Sequence, residues 1–169
     1  VSRAIASAPM RLYMERIGVR IAVSEEARRT LIEHHGGDAV IIPNGVETAS
    51  FRTAQPLEQW VATDERPVIV FLGRLDEPRK GLSIFAGAIA GVLERFPGVR
   101  FLMAGRGDAP GIRQAVERFG DSVSFLGGIS DEGKESLLAG ATIYVAPQTG
   151  GESFGIVLVE AMAAHTAVV

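Results

Sequence analysis

The sequence predicts an α/β fold: a parallel β-sheet with helices packed on both faces. Three observations predict it. Short, unbroken apolar runs recur along the chain, as at residues 68–72 and 101–104, and such runs suit strands buried on both sides. Longer stretches with helical spacing separate them. Most of the runs end in a loop that carries glycine.

Each element follows in order. Residues 20–23 form a short apolar run, and Ser24 caps a helix that reaches about residue 34, where Gly36-Gly37 ends it. A strand at 39–42 breaks at Pro43-Asn44-Gly45. Residues 47–66 have mixed polarity and read as a linker. Then strands alternate with helices: strand 68–72, helix 82–96 stopped by Pro97-Gly98, strand 100–104, helix 111–119, strand 123–126. Helix 131–138 follows, capped by Ser130 or Asp131, then strand 143–146, helix 156–164 and a strand beginning at 167. In parallel sheets ligands bind beyond the carboxyl ends of the strands. That rule selects the loops 73–81, 105–111, 127–131 and 147–155.

Composition narrows the function. A chain of 169 residues can bury one good core. A formal charge of −3 gives no general nucleic-acid footprint, so no nucleic-acid partner is expected. No apolar run approaches the ~18–20 residues that span a membrane. The first residues lack the continuous apolar core of a signal peptide. There is no cysteine, which excludes disulfides and thiolate catalysis and fits a cytoplasmic protein. No Ser–His–acid triad, metal-ligand spacing or Asp-x-Asp pair is visible, so neither a bound metal nor a prosthetic group is expected. Val1 is not a methionine, and Thr166-Ala167-Val168-Val169 reads as the middle of a buried strand. These ends lead us to expect a fragment of a longer enzyme.

The most informative stretch is Thr149-Gly150-Gly151-Glu152-Ser153-Phe154-Gly155-Ile156-Val157-Leu158-Val159-Glu160-Ala161-Met162-Ala163. It is a glycine-rich loop running into a helix. Free N–H groups of a first helical turn, with the helix dipole, attract phosphate. Glu152 in the loop and Glu160 in the helix flank that turn, and carboxylates accept hydrogen bonds from vicinal hydroxyls. The arrangement suits a nucleotide sugar. Arg74, Arg79 and Lys80 share the loop after the first strand of the regular part. Fixed cations there would stabilise a departing diphosphate. With Asp76 and Glu77 beside them, the same loop also reads as a solvated, salt-laced surface.

These motifs resemble the GT-B retaining glycosyltransferases of family four. The match rests on the Glu-x7-Glu loop and helix, on Ile42-Pro43-Asn44-Gly45-Val46-Glu47, on Phe71-Leu72-Gly73-Arg74-Leu75 and on Pro78-Arg79-Lys80-Gly81. The four occur in the family's order and span the chain from about Val19 to its end. Asp76-Glu77-Pro78-Arg79-Lys80-Gly81 and the run Gly150–Ala164 are most similar to the actinobacterial phosphatidylinositol α-mannosyltransferases.

The resemblance implies a Rossmann-like, truncated GT-B C-terminal domain. Residues 1–50 would be the tail of the N-terminal domain, 51–66 the interdomain linker and 67–169 the nucleotide-sugar domain. It implies that Gly73, Arg74 and Lys80 hold the diphosphate, with Arg79 nearby. Glu152 would be the catalytic contact to the donor sugar and Glu160 the ribose ligand. Phe154, Gly155, Ile156 and Val157 would offer backbone N–H groups to phosphate. Ile129 would lie against the base. Asp131 would select guanine or serve only as a helix cap, and Lys134 would cover the base or pair with Asp131 or Glu135. The donor implied is GDP-mannose. The acceptor is a phosphatidylinositol-type lipid, reached through the N-terminal domain at the inner face of the plasma membrane. Alternatives remain open: another donor such as UDP-glucose, or a non-catalytic nucleotide-binding module. His165 departs from the glycine that the family places there, which predicts a cost in stability or a small shift of the helix carrying Glu160.

Overall fold

The computed structural model describes Tyr13 and residues 16–169. The reading of the first residues as free of a leader core falls outside the described residues. The chain divides into two compact units, the first comprising residues up to 45 with Glu152–Gly155, the second Val46–Gly151 with Ile156–Val169.

In the first unit, strand β1 (Ile21–Ala22) pairs in parallel with β2 (Val40–Ile41) across helix α1 (Glu25–His35). Ser24 caps α1 by accepting the Ala27 N–H at 3.1 Å, and Gly36 closes it at φ 71°. Both signals were readable in the sequence. Arg28 is gripped by Glu25 at 2.8 Å and by Asp38 at 2.7 Å, which ties α1 to the approach to β2. The hydrogen bond from Arg28 holds the Asp38 carboxyl below the usual range.

The second unit holds the five-stranded parallel sheet that the apolar runs predict, and the α/β fold class stands. Strands β3 (Val68–Leu72), β4 (Arg100–Ala104), β5 (Val123–Gly127), β6 (Ile143–Tyr144) and β7 (Ala167–Val168) lie in the order β5-β4-β3-β6-β7. Side chains alternate between the faces. On one face Phe71, Phe101 and Met103 pack with Leu82, Phe85 and Ile89 of helix α3 (Leu82–Arg95). The Phe71, Phe85 and Phe101 rings meet at 5.6 and 5.9 Å between centroids. On the other face Val68, Val70, Leu102 and Ala104 pack with Trp60 and with Leu137 of the helix Asp131–Gly140. Before α5 (Asp131–Gly140) come α2 (Thr48–Thr53) and α4 (Pro110–Val116), and after it α6 (Ile156–Ala163).

Three details differ from the sequence reading. The expected helix at 111–119 ends as α-helix at Val116 and continues as a 3-10 segment, Glu117–Ser122, broken where Gly120 turns to φ 52°. Gly120 allows that reversal without the steric penalty of a Cβ. The N-cap of α5 is Ser130, which accepts the Gly133 N–H at 3.1 Å. Asp131 is therefore not the cap, since it is already the first residue of the helix. Finally, residues 51–66, expected as a linker, carry core of the second unit. Phe51 is buried with Leu138, Tyr144 and Ala161, Trp60 is buried against the sheet, and Leu57 N–H donates to Ser136 Oγ at 2.8 Å.

Candidate functional site

All five strands run in one direction, so their following loops emerge at one edge of the sheet. Backbone contacts knit these loops. Thr149 N–H donates to the Arg79 carbonyl at 3.0 Å, and Gly105 N–H to that of Gly127 at 2.8 Å. Gly81 stands at φ 78°, where an added Cβ would lie 1.9 Å from the Pro147 carbonyl oxygen, so only glycine allows the β3 and β6 loops to approach this closely. Gly73 opens the β3 loop, its N–H bonded to the Ala104 carbonyl at 3.1 Å.

The cations of that loop have distinct settings. Arg74 places both arms of its guanidinium on Asp76, at 3.1 and 2.7 Å, with the two side chains 60% and 40% exposed. This hydrogen bond holds the Asp76 carboxyl below its ordinary value. Asp76 is seated against Gly107, where a Cβ would fall 2.3 Å from its Oδ1. Arg79 binds the carboxylate of Glu77 and donates to the Gly151 carbonyl at 2.6 Å, so its guanidinium fastens the β3 loop to the loop after β6. Lys80 is half-buried at the end of the turn Pro78–Lys80.

The glutamates differ as much. Glu152 is exposed and belongs to the first unit, where Gly155 N–H donates to its Oε1 at 3.3 Å. In the same unit Ser24 Oγ donates to the Ser153 carbonyl at 2.5 Å while it caps α1, so one hydroxyl fixes both the helix and the glycine-rich loop. Phe154 is half-buried there. Ile156 and Val157 form the first turn of α6 in the second unit.

Glu160 is buried on α6, 6% exposed. Its Oε1 accepts from Lys134 Nζ at 2.7 Å, and its buried Oε2 has no hydrogen-bond partner among the described residues. The Lys134 ammonium lies 5.6 Å from the centre of the Phe51 ring and 3.6 Å from Asp131 Oδ1. Of the partners the sequence offered Lys134, the structure pairs it with Asp131 and adds Glu160. Asp131 itself has a 93% exposed side chain. Ile129 is half-buried, packed on the Trp60 cluster. Among the described residues no group of three or more His, Cys, Asp or Glu side chains is arranged to hold a metal.

Sequence reasoning missed Ser24 as the anchor of the loop, Asp76 as the partner that shapes Arg74, and Phe51 as the seat of Lys134. A signal existed only for Asp76, two residues from the arginine it grips.

Comparison with known proteins decides the family. The model of the family described as glycosyl transferases group 1 matches residues 66–169. The chain belongs to the group 1 glycosyl transferases. It is similar to the phosphatidyl-myo-inositol mannosyltransferase of Mycobacterium tuberculosis, 49% identical over 95% of this chain and 42% of that protein. The protein of that name from Propionibacterium freudenreichii subsp. shermanii is 40% identical over 92% of this chain and 39% of its own length. This group 1 glycosyl transferase chain thus spans about two fifths of the curated relatives it matches. Among solved structures, Anabaena HepE in complex with UDP and glucose superposes with a TM-score of 0.75 at 23% identity, over 89% of this chain and 43% of that one. The solved neighbours are GT-B glycosyltransferases, and the likeness shows the fold.

Proposed function

We propose that this chain is the donor-binding part of a retaining mannosyltransferase that moves mannose from GDP-mannose to a phosphatidylinositol-type lipid. The observation that carries the reading is Glu160. A carboxylate is buried on the helix that follows the glycine-rich loop, held by one lysine, with an oxygen left without a partner among the described residues. A buried acceptor is costly unless something hydrogen-bonds to it, and a ribose hydroxyl is such a donor. The name carried by the relatives, phosphatidyl-myo-inositol mannosyltransferase, supports the sugar and the acceptor.

In this reading Arg74 and Lys80 take the diphosphate, whose charge grows as the glycosidic bond breaks. Cations fixed there favour the transition state over the ground state. The N–H groups of Gly155, Ile156 and Val157 add to that charge stabilisation. Glu152 contacts the hydroxyls of the donor sugar. The diphosphate leaves from the face that the acceptor enters, which retains the anomeric configuration. Residues 67–169 hold the nucleotide, while residues 1–50 close the preceding domain of the longer protein. That domain would carry the acceptor groove and the membrane-binding surface, at the cytoplasmic side of the plasma membrane, in phosphatidylinositol mannoside biosynthesis. The chain by itself binds nucleotide weakly and transfers no sugar.

A second donor, UDP-glucose, is favoured by one observation. Asp131, the residue that would read guanine, is almost fully exposed and not enclosed in a base pocket. Calorimetric titration of GDP, UDP and ADP separates the two. A clear preference for GDP supports the mannosyl donor. Equal or stronger binding of UDP removes the GDP-mannose assignment and leaves the transferase reading intact. Sugar transfer by the chain alone would contradict the assignment of the acceptor site to the preceding domain.

A further inference from the structure

The pair Lys134–Glu160 raises a question that the nucleotide reading does not answer. The sequence reading expects Lys134 to cover the base or to pair with Asp131 or Glu135. Its ammonium is instead 2.7 Å from Glu160 Oε1, on a neighbouring helix, over the face of Phe51. A side-chain carboxyl group as buried as that of Glu160 is held in one orientation at low cost only by a partner of this kind. The aromatic face attracts the ammonium from below, which restricts a side chain that is otherwise long and flexible. Asp131, at 3.6 Å, is the other carboxylate beside it and is solvated. Among the described residues Lys134 is the side chain that donates a hydrogen bond to Glu160.

We infer that Lys134 is a positioning residue, which holds Glu160 as an oriented carboxylate and so builds the acceptor for the ribose diol without itself touching the nucleotide. The inference rests on the reading of this edge as a nucleoside diphosphate site. A carboxylate offers about four acceptor positions. Lys134 takes one, and two hydroxyls fit those that remain. Oε2 is screened from water, so a hydroxyl reaches it by rotation about the terminal torsion of Glu160, which is a soft, two-fold rotor. Phe51 thereby acts at one further remove, as the seat of the lysine.

The test compares GDP with 2′,3′-dideoxy-GDP, which keeps base and diphosphate and lacks the diol. Calorimetry gives the affinity ratio for the wild-type chain, Glu160→Gln, Lys134→Met and the double variant Lys134→Met/Glu160→Gln. The double variant has no orphaned charge, so it reports even where Lys134→Met alone fails to fold. In the wild type the ratio should favour GDP by about 10- to 100-fold, as expected for hydrogen bonds to a charged group. Lys134→Met should reduce it to within about threefold of Glu160→Gln, and adding Lys134→Met to Glu160→Gln should leave GDP affinity unchanged. A further loss on the order of tenfold in the double variant, relative to Glu160→Gln, would place Lys134 on the nucleotide and overturn the inference. An undiminished ratio in a folded Lys134→Met protein would also overturn it. A wild-type ratio near one would remove the diol role of Glu160, and the inference with it, while sparing the diphosphate site. Failure of the wild type to bind GDP at all would remove both readings.

Discussion

Two ion pairs in the second unit use the same chemistry in opposite settings. Arg74 and Asp76 meet in a loop, two residues apart, with a bidentate geometry and with both side chains open to solvent. Lys134 and Glu160 meet across two helices, 26 residues apart, with the carboxylate nearly sealed from solvent. An exposed pair is worth little because water and salt compete for each partner. Such a pair can exchange its carboxylate for a phosphate at small cost, as the diphosphate role proposed for Arg74 requires. A buried pair is different. Its formation brings little net stability, but removing one member leaves a charge with no solvent. The first pair is built to change partners, the second to stay.

The largest expected effect follows from that difference. Lys134→Met should destabilise the chain by about 3 kcal/mol, because it abandons a buried carboxylate. Urea denaturation measures it, and Glu160→Gln in the same background should recover most of the loss. A change below about 0.5 kcal/mol would mean that water reaches Glu160 and that the contrast between the pairs is false.

A smaller effect concerns the end of the helix that carries Glu160. His165 sits at φ 62°, its N–H bonded to the Met162 carbonyl at 3.1 Å, while the Thr166 N–H reaches that of Ala161 at 2.9 Å. These bonds form a Schellman turn, which favours glycine at this position. His165 thus occupies a positive-φ position of the kind for which the sequence reading expected glycine. His165→Gly should stabilise the chain by about 1 kcal/mol in the same denaturation experiment. Destabilisation would show that the imidazole makes a contact worth more than the backbone strain.

In the loop, Asp76→Ala should leave stability close to that of the wild type, because water and salt already compete for both partners of its ion pair. A loss comparable to that of Lys134→Met would break the comparison from its other side.

The smallest effect is in acid. The Asp76 carboxyl is held low by Arg74, and that of Asp38 by Arg28. A carboxyl whose value is lower in the folded state contributes stability above its unfolded value, near about 4, and loses it as pH falls through the folded value. Stability should therefore decline as the solution is taken below about pH 4, and Asp76→Ala should flatten only a minor part of that decline. A decline governed by Asp76 would contradict its exposed setting.

What was legible in the sequence was what is encoded locally. Strands β3 and β4 match their apolar runs because a strand buried on both faces has to be continuously apolar. Ser24 and Gly36 announce the ends of α1 through side-chain and backbone chemistry confined to a few residues. At Ser130 and Asp131 two good capping residues stand side by side, and only the folded geometry chooses between them. Phe51 and Trp60 were hidden because six and three helical residues are too few to display a periodicity, so their burial is decided by partners far along the chain. The Glu-x7-Glu spacing pointed to Glu160, but its lysine could not be found that way. No local pattern links residues on two different helices.

The most direct measurement for the central claim is two-dimensional NMR of the labelled chain titrated with GDP. The account predicts that the amides that shift are those of Gly73, Arg74 and Lys80, of Ile129–Lys134 and of Gly155–Glu160. These lie in or beside the loops that leave the sheet at one edge. Shifts confined elsewhere, such as around Arg113, Gly120 and Phe125 beside the 3-10 segment, would contradict it and place any nucleotide site away from the carboxyl ends of the strands.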